Sequence, residues 1–240
     1  MSLSKYTTPE ATNIGRLAAI LLDPCTKTLR EILKREVSPS DLSKEVQDFI
    51  DDAVKHRKKF KRLDFKQENI IFPPPTLKYR GDYTDLDISL LYYLLRNICK
   101  KISPPSKGWG NIPDPKDKSI AANIERIRMT RNECYGHTAD LSLSEADFNR
   151  NCQILRDAVV ELEKYLGTTI FQDDVNEIEM CSMDPKETKK KIDLLGNLVD
   201  LQKSLDDFLD PKVSRKIDEP IGEKICSIMY ELIRGSEVNA

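Results

Sequence analysis

The chain has 240 residues, of which 39% are hydrophobic and 32% are charged. The charged share exceeds the usual quarter and glycine is scarce, which favours helices with wide solvated faces over a thick sheet core. The net charge of −2 excludes a global basic field that would attract nucleic acid, so any RNA binding must come from a local patch.

Two helices are predicted in the first 60 residues. Residues 10–36 have apolar positions at helical spacing, and Pro24 should kink or split this helix because proline has no amide hydrogen. Residues 38–60 show the same spacing, with Ser38 or Ser40 as the N-cap. The sequence "KHRKKFKR" follows, and such a run is either a solvated helix end or a local patch that binds an anion.

An irregular stretch and an apolar helix come next. Three consecutive prolines exclude a helix interior from part of residues 61–84, which we expect to be irregular throughout. Residues 84–102 predict the most apolar helix of the chain, capped by Thr84 or Asp85. Because its apolar face is broad, we expect this helix to be central in the fold.

The loop at residues 103–118 contains the only tryptophan, Trp109, between two glycines. Flexible glycines on both sides favour an indole that packs over the bundle, near the 84–102 helix. The alternative is an exposed ring that stacks on nucleic-acid bases.

The second half of the chain predicts further capped helices. Ser119 caps a helix over residues 119–136. Ser144 and Asp147 make an approximate capping box for a helix that runs to Leu166 and stops at Gly167.

Residues 171–209 carry two more helical segments, divided at "MDPKE". The second has leucines at steps of three and four, as in a helical hairpin or a coiled-coil arm; these positions are Leu194, Leu198, Leu201, Leu205 and Phe208. A short helix is predicted at about residues 219–233. No strand-like alternation competes with these patterns, so the sequence predicts an all-α protein with a helical bundle over residues 1–167 and a C-terminal helical extension over 168–240.

Cysteines, histidines and hydropathy bear on location and metal binding. The six cysteines form no C-x-x-C pair and no secretory signal precedes them, so we expect reduced, packing thiols in a cytoplasmic protein. Two histidines, His56 and His137, cannot build a histidine-rich metal centre. No apolar run approaches the roughly 20 residues of a membrane span. We therefore expect no metal, no cofactor and no membrane insertion.

The segment "RNECYGH", residues 131–137, interrupts the apolar stripe of the 119–136 helix. At about 100° per residue, Arg131 lies about 40° from Ile127 and about 20° from Ile124 around the helix. A guanidinium in line with a buried stripe requires a carboxylate, a phosphate or a route to water. A helix end at Gly136 would let the His137 imidazole fold back toward Arg131, and Asn132 can help to fix the turn.

Structural interpretations of the same residues stay open at this point. An arginine near a helix C-terminus is favoured by the helix dipole and can extend to solvent. A histidine after a glycine is often only a neighbour of the helix cap.

These residues resemble a known family. "RNECYGH" fits the Arg-polar-x4-His motif of the HEPN superfamily, and "DISLLYYLLRNI", "PPSKGWGNIPDP" and "IERIRMTRNECYGH" follow one another as in the HEPN domain of the DAZ-interacting zinc-finger E3 ubiquitin ligase type. The resemblance covers roughly residues 10–167. No RING cysteine and histidine pattern is present, so ligase activity does not carry over.

The resemblance implies a helical bundle that pairs face to face as a homodimer. It also implies a composite site of Arg131, His137 and Asn132 that cleaves RNA without a metal and leaves 2′,3′-cyclic phosphate ends. Many members of the superfamily lack this activity. The alternative function is therefore a non-catalytic interaction and dimerisation module of a signalling or defence assembly, with the C-terminal arm recruiting a protein partner.

Overall fold

The computed structural model describes residues 3–58 and 60–208, with only the backbone described from residue 198 onward. Its regular elements are helical, and no strand occurs in these ranges, which confirms the predicted all-α fold for this part of the chain. The α-helices are α1 (Pro9–Ile20), α2 (Thr26–Glu36), α3 (Leu42–Lys55), α4 (Phe65–Ile71), α5 (Ile88–Asn97), α6 (Ile120–Gly136), α7 (Glu145–Leu166), α8 (Ile170–Met180) and α9 (Pro185–Phe208). The helix predicted at about 219–233 lies outside the described residues.

Pro24 lies in a π-helical turn, Leu21–Cys25, that joins α1 to α2. Proline cannot donate a backbone hydrogen bond and its ring crowds the preceding turn, and the wider π turn accommodates both effects. The hydroxyls of Thr26 and Thr28 donate to the Leu21 and Pro24 carbonyls, each at 2.8 Å. The break expected at Pro24 is thus confirmed as a change of helical pitch.

The stretch at residues 61–84 is not irregular throughout, because it contains α4. Asp64 caps this helix by accepting a hydrogen bond from the Gln67 amide at 2.8 Å, and the Gln67 side chain accepts one from the Asp64 amide at 3.2 Å. This reciprocal capping box satisfies two amides that a short helix would otherwise leave unpaired. This capping box begins with an aspartate, whereas the one predicted from the sequence begins with Ser144.

The predicted caps of α3 and α5 are wrong by a few residues. Ser38 precedes a 3₁₀ turn, and the N-cap of α3 is Asp41, not Ser38 or Ser40. At α5 the cap is Asp87, whose carboxylate accepts from the Ser89 and Leu90 amides at 2.9 and 2.8 Å. Several polar residues precede each apolar run, and the sequence alone does not select among them.

Helix α7 packs against α1, α2, α6 and α8, while α5 packs against α2 and α6. The side chains at these contacts are fully buried, including Leu17 on α1, Leu91 and Leu94 on α5, and Leu155 and Val159 on α7. The contacts of α5 on more than one side agree with the central position expected from its broad apolar face. The predicted bounds of the 119–136 helix and of the helix that ends at Gly167 are also confirmed, with Gly167 in the left-handed conformation at φ 76°.

Residues Met1–Asp200 form one compact unit, which includes α8 and the first part of α9. Helix α8 packs on α1 and α7. On α9, Thr188, Ile192 and Leu195 are buried, whereas Leu194 of the predicted leucine stripe is 44% exposed. Leu194 is thus not part of the buried face of α9. The coiled-coil or hairpin arm and the division of the chain at residue 167 stay predictions.

Candidate functional site

The arginine of the motif is buried in the helical bundle. Arg131 is 1% exposed, next to Ile124 and Ile127 on the face of α6 that points into the core. The apolar stripe of α6 therefore continues into a charged side chain, as the spacing indicated. A buried guanidinium requires hydrogen-bond acceptors, because an unpaired charge in the interior costs several kcal/mol.

Two of its acceptors come from different helices. Arg131 Nη1 donates to Ser89 Oγ on α5 at 2.7 Å. Its Nε and Nη2 donate to Asn132 Oδ1 at 3.2 and 2.9 Å. The planar guanidinium is thus fixed in orientation between α5 and α6, because its donors form a rigid fork.

The contact of Ser89 with Arg131 was not predicted from the sequence. Its only signal is a small hydroxyl residue in the second position of an otherwise apolar helix, "ISLLYYLL". A serine so close to a helix start is ordinarily interpreted as part of the cap, and its amide is indeed bonded to Asp87. The hydrogen bond of its hydroxyl with Arg131 depends on the packing of α5 against α6. The residues next to Ser89 in the sequence carry no information on that packing.

His137 is the C-cap of α6, at φ −91° and ψ −7°. Its amide donates to the Cys134 carbonyl at 3.1 Å, its carbonyl accepts from the Leu141 amide at 2.9 Å, and its side chain is partly exposed. Gly136 stays helical, so the helical rotation runs on to the cap. Six helical residues correspond to about 9 Å along the axis and about 120° around it from Arg131 to His137.

The structure therefore joins Arg131, Asn132 and Ser89 in one hydrogen-bonded group, and it places His137 at the end of the same helix on a different face. That the His137 imidazole folds back toward Arg131 stays a prediction. A cleft that contains both side chains stays a prediction.

A second polar network fixes the loop between α5 and α6. Glu125 is fully buried and accepts from Tyr92 Oη and the Gly110 amide, each at 2.6 Å, and from Arg128 Nε at 2.7 Å. Burial, together with the hydrogen bond to Glu125, raises the pKa of Tyr92 to about 12. Neither the sequence pattern nor the motif indicated this carboxylate, which lies on the buried side of α6 next to Ile124.

Trp109 packs on the helix that the sequence indicated. Its ring meets Tyr92 of α5 edge to face, with 6.0 Å between the ring centroids, and the indole is partly buried against the core. Gly108 and Gly110 flank it at φ 77° and 86°, a backbone region that favours glycine. The interpretation of Trp109 as a packing residue is supported, although its burial is incomplete.

No cluster of three histidine, cysteine or acidic side chains that could hold a metal ion occurs among the residues that the structure describes. Within the same ranges, none of the helices combines the length and the apolar character needed to cross a bilayer.

The family model described as DZIP3/hRUL138-like HEPN matches residues 39–191, which is more than half of the chain. The match contains Ser89, Asn132 and both residues of the Arg131 and His137 motif, and it extends past residue 167 through α8 into α9. No curated protein and no solved structure matches the chain significantly. The chain belongs to the DZIP3/hRUL138-like HEPN family.

Proposed function

We propose that this HEPN domain acts on RNA and cleaves it without a metal ion, at a composite site that two protomers form with Arg131, Asn132 and His137. The observation that carries this proposal is the guanidinium held in a fixed orientation by Ser89 and Asn132 at the same end of α6 where His137 lies. A positively charged group that is already oriented needs no reorganisation when negative charge develops nearby.

Asn132 is the group that we assign to the phosphate. Arg131 is 1% exposed, whereas Asn132 is exposed. Asn132 Oδ1 accepts two hydrogen bonds from the guanidinium, and within the described part of the chain its Nδ2 donates none. The buried charge polarises this amide, so Nδ2 becomes a stronger donor toward a phosphate oxygen.

Cleavage proceeds by attack of the ribose 2′-oxygen on the adjacent phosphorus. One histidine removes the 2′-hydroxyl proton, the bond from phosphorus to the 5′-oxygen breaks, and a second histidine gives that oxygen a proton. The products are a 2′,3′-cyclic phosphate and a 5′-hydroxyl. One protomer has a single histidine at this site, so a two-fold axis near the end of α6 supplies the second one.

The test uses mixed RNA incubated with purified protein in EDTA, with the ends of the products analysed. We expect His137→Ala to abolish cleavage and Gln153→Ala to retain it. Gln153 is the control, because it is an exposed polar residue on α7 outside both proposed RNA contacts. Equal activity in the two variants would contradict the proposal.

Asn132→Asp is the sharper variant. The carboxylate keeps the acceptor for Arg131 and adds a charge that strengthens this pair, so the fold is retained. It removes the Nδ2 donor and repels phosphate, so we expect cleavage to fall by at least about 100-fold, as for loss of an oxyanion donor. Full activity in a folded Asn132→Asp protein would exclude Asn132 as a phosphate ligand.

A second function is favoured by the burial of Arg131. A guanidinium that is 1% exposed and bonds Ser89 across two helices also suits a purely structural role. In that case the domain is a non-catalytic dimerisation module, and the segment after residue 167 recruits a protein partner. Dimers in sedimentation measurements, with no cleavage by wild-type protein, would favour this function.

A further inference from the structure

We propose that residues 55–58 and 60–66, called here the basic segment, form a second contact surface that binds single-stranded RNA through Arg57 and Phe65. The ligand class rests on the proposed function, but the binding does not depend on cleavage. The segment follows α3 and reaches into α4, and it contains neither residue of the Arg131 and His137 motif.

The basic segment concentrates positive charge in an acidic protein. It contains six lysines and arginines and one aspartate, whereas the whole chain has a net charge of −2. Lys55, Arg57 and Lys66 are exposed. Such a local cluster attracts phosphates at short range, while the rest of the surface gives no general affinity for nucleic acid.

Two carboxylates of this region are engaged by neighbouring groups. Asp52 binds Lys58 Nζ at 2.7 Å and His56 Nδ1 at 2.9 Å, and the hydrogen bond from Lys58 is the main reason that its pKa is lowered. Asp64 accepts from the Gln67 amide at the start of α4. Neither acid neutralises Arg57 or Lys66 in the structure.

Arg57 occupies a backbone position that favours glycine. Its φ is 49°, in the left-handed region, where a side chain costs roughly 1 kcal/mol. The Arg57 amide donates to the Val54 carbonyl at 3.1 Å and the Lys58 amide to the Ala53 carbonyl at 2.8 Å, which is the Schellman closure of α3. By contrast, α7 closes with Gly167 in this conformation. This closure leaves the Arg57 side chain exposed at the end of α3, where it can contact a ligand.

The two phenylalanines of the segment have opposite environments. Phe60 packs edge to face on Phe49, with 5.5 Å between the ring centroids, and so anchors the segment to α3. Phe65 is 73% exposed, and no other aromatic side chain in the described part of the chain is classed as exposed. The Asp64 capping box holds it at the first position of α4.

An exposed ring in a segment rich in cations fits single-stranded nucleic acid better than a duplex or a protein. Unpaired bases stack on aromatic side chains while cations contact the backbone, and a duplex offers phosphates but no free base faces. A protein partner would need both carboxylates for the cations and an apolar pocket for Phe65, whereas one nucleotide supplies a phosphate and a base together.

The binding experiment uses a fluorescein-labelled 2′-O-methyl-uridine 12-mer, which cannot be cleaved by 2′-oxygen attack. We expect Phe65→Ala to weaken binding by about 5-fold or more, the loss of one stacked base. Arg57→Gly should weaken binding and lower the slope of log affinity against log salt by about 0.7, the value for one phosphate contact on a single strand. Because glycine suits the left-handed position, the Arg57→Gly urea midpoint should be unchanged or higher.

A matched charge control is available on α9. The triple variant Lys55→Gln, Arg57→Gln, Lys66→Gln removes three charges from the basic segment. The triple variant Lys189→Gln, Lys190→Gln, Lys191→Gln removes the same charge from another basic run of the chain. We expect only the first to weaken binding strongly, and equal losses in both would overturn the proposal.

The remaining outcomes separate this inference from the proposed function. Binding that depends on Phe65, together with no cleavage of ordinary RNA, supports the inference and contradicts the nuclease. Cleavage by wild-type protein, together with unaltered binding in Phe65→Ala and Arg57→Gly, supports the nuclease and contradicts the inference. Equal affinity for a duplex, or for phosphatidylserine vesicles, with no effect of Phe65→Ala would show an unspecific anionic partner and overturn the inference.

Discussion

Two adjacent tyrosines on α5 have opposite hydrogen-bonding states. Tyr92 Oη donates to the buried Glu125, whereas Tyr93 Oη is buried without a partner among the described residues. Removing an unsatisfied buried hydroxyl relieves a desolvation cost, so we expect Tyr93→Phe to raise the free energy of unfolding by about 1 kcal/mol. Tyr92→Phe should lower it by a similar amount, because Glu125 loses a donor. Urea unfolding at pH 7 measures both, and a loss of stability in Tyr93→Phe would contradict the assignment.

The hydrogen bond between Tyr92 and Glu125 should make the free energy of unfolding depend on pH. The pKa of Tyr92 is raised from its ordinary value near 10 to about 12, chiefly by burial. The folded state therefore holds this proton while the unfolded state releases it, so the stabilisation is complete below pH 10 and is lost as the pH rises toward 12. The difference in unfolding free energy between wild type and Tyr92→Phe should shrink over this window. A constant difference from pH 9 to 12 would exclude a raised pKa.

At the site itself, the residue types were predictable from the sequence, but their contacts were not. The position of Arg131 on a buried stripe follows from helical spacing, and the structure confirms it at 1% exposure. Ser89 lies 42 residues away, and its hydrogen bond to Arg131 depends on how α5 packs on α6. Arg131→Ala should therefore cost about 3 kcal/mol of stability, since it removes a buried charged hydrogen-bond donor and leaves a cavity. Arg96→Ala on exposed α5 surface is the control, with an expected loss below about 0.5 kcal/mol.

At the scale of the elements, α1 and α9 approach closely at a glycine. A Cβ on Gly15 would lie 3.0 Å from Thr188 Cγ2 and 3.3 Å from Thr188 Cα, whereas a Cβ on Gly196 of α9 would meet nothing within 4 Å. We expect Gly15→Leu to displace α9 and expose the α8–α9 connection to limited proteolysis. Gly196→Ala should be neutral or stabilise by up to about 1 kcal/mol, because alanine favours helix. Equal protease resistance in the two variants would contradict this packing.

The presence of most helices could be predicted from the sequence, whereas the residues at which they begin and end were less predictable. Long periodic segments such as α6 and α7 carry their own caps, Ser119, Ser144 and Gly167, and the structure places them as expected. Helix α4 was missed because seven residues give too few turns for a periodic signal, although its capping box was present in the sequence. On α9 the apolar residues occupy more than one face, so spacing alone did not determine that Leu195, and not Leu194, is buried.

At the scale of the whole molecule, the reactivity of the cysteine thiols measures how often the helical core unfolds. Cys181 is partly exposed, while the other four free cysteines of the described chain are buried, namely Cys25, Cys99, Cys134 and Cys152. Burial raises the pKa of Cys99 and of Cys152 to about 12, and it raises the pKa of the other two as well. Thiolate is the reactive form, so these four should react only when the core opens.

Labelling with Ellman's reagent tests this in a Cys226→Ser background, since Cys226 lies outside the described residues. We expect one fast thiol, removed by Cys181→Ser, and four slow thiols that share one rate. That common rate should rise together with urea. A single fast thiol among the four would instead indicate a local opening of the helix that carries it.

The packing of Trp109 on Tyr92 gives the protein an internal optical probe. The indole is the only one in the chain. It belongs to the loop that Glu125 holds through the Gly110 amide, and it packs on Tyr92 of α5. Its emission therefore reports the junction of α5 and α6, the two helices that Arg131 connects. RNA or a second protomer that shifts this junction would change the emission wavelength or the accessibility to acrylamide, without any label. A ligand at the basic segment alone would leave both unchanged, so fluorescence titration can distinguish the two surfaces in the unmodified protein.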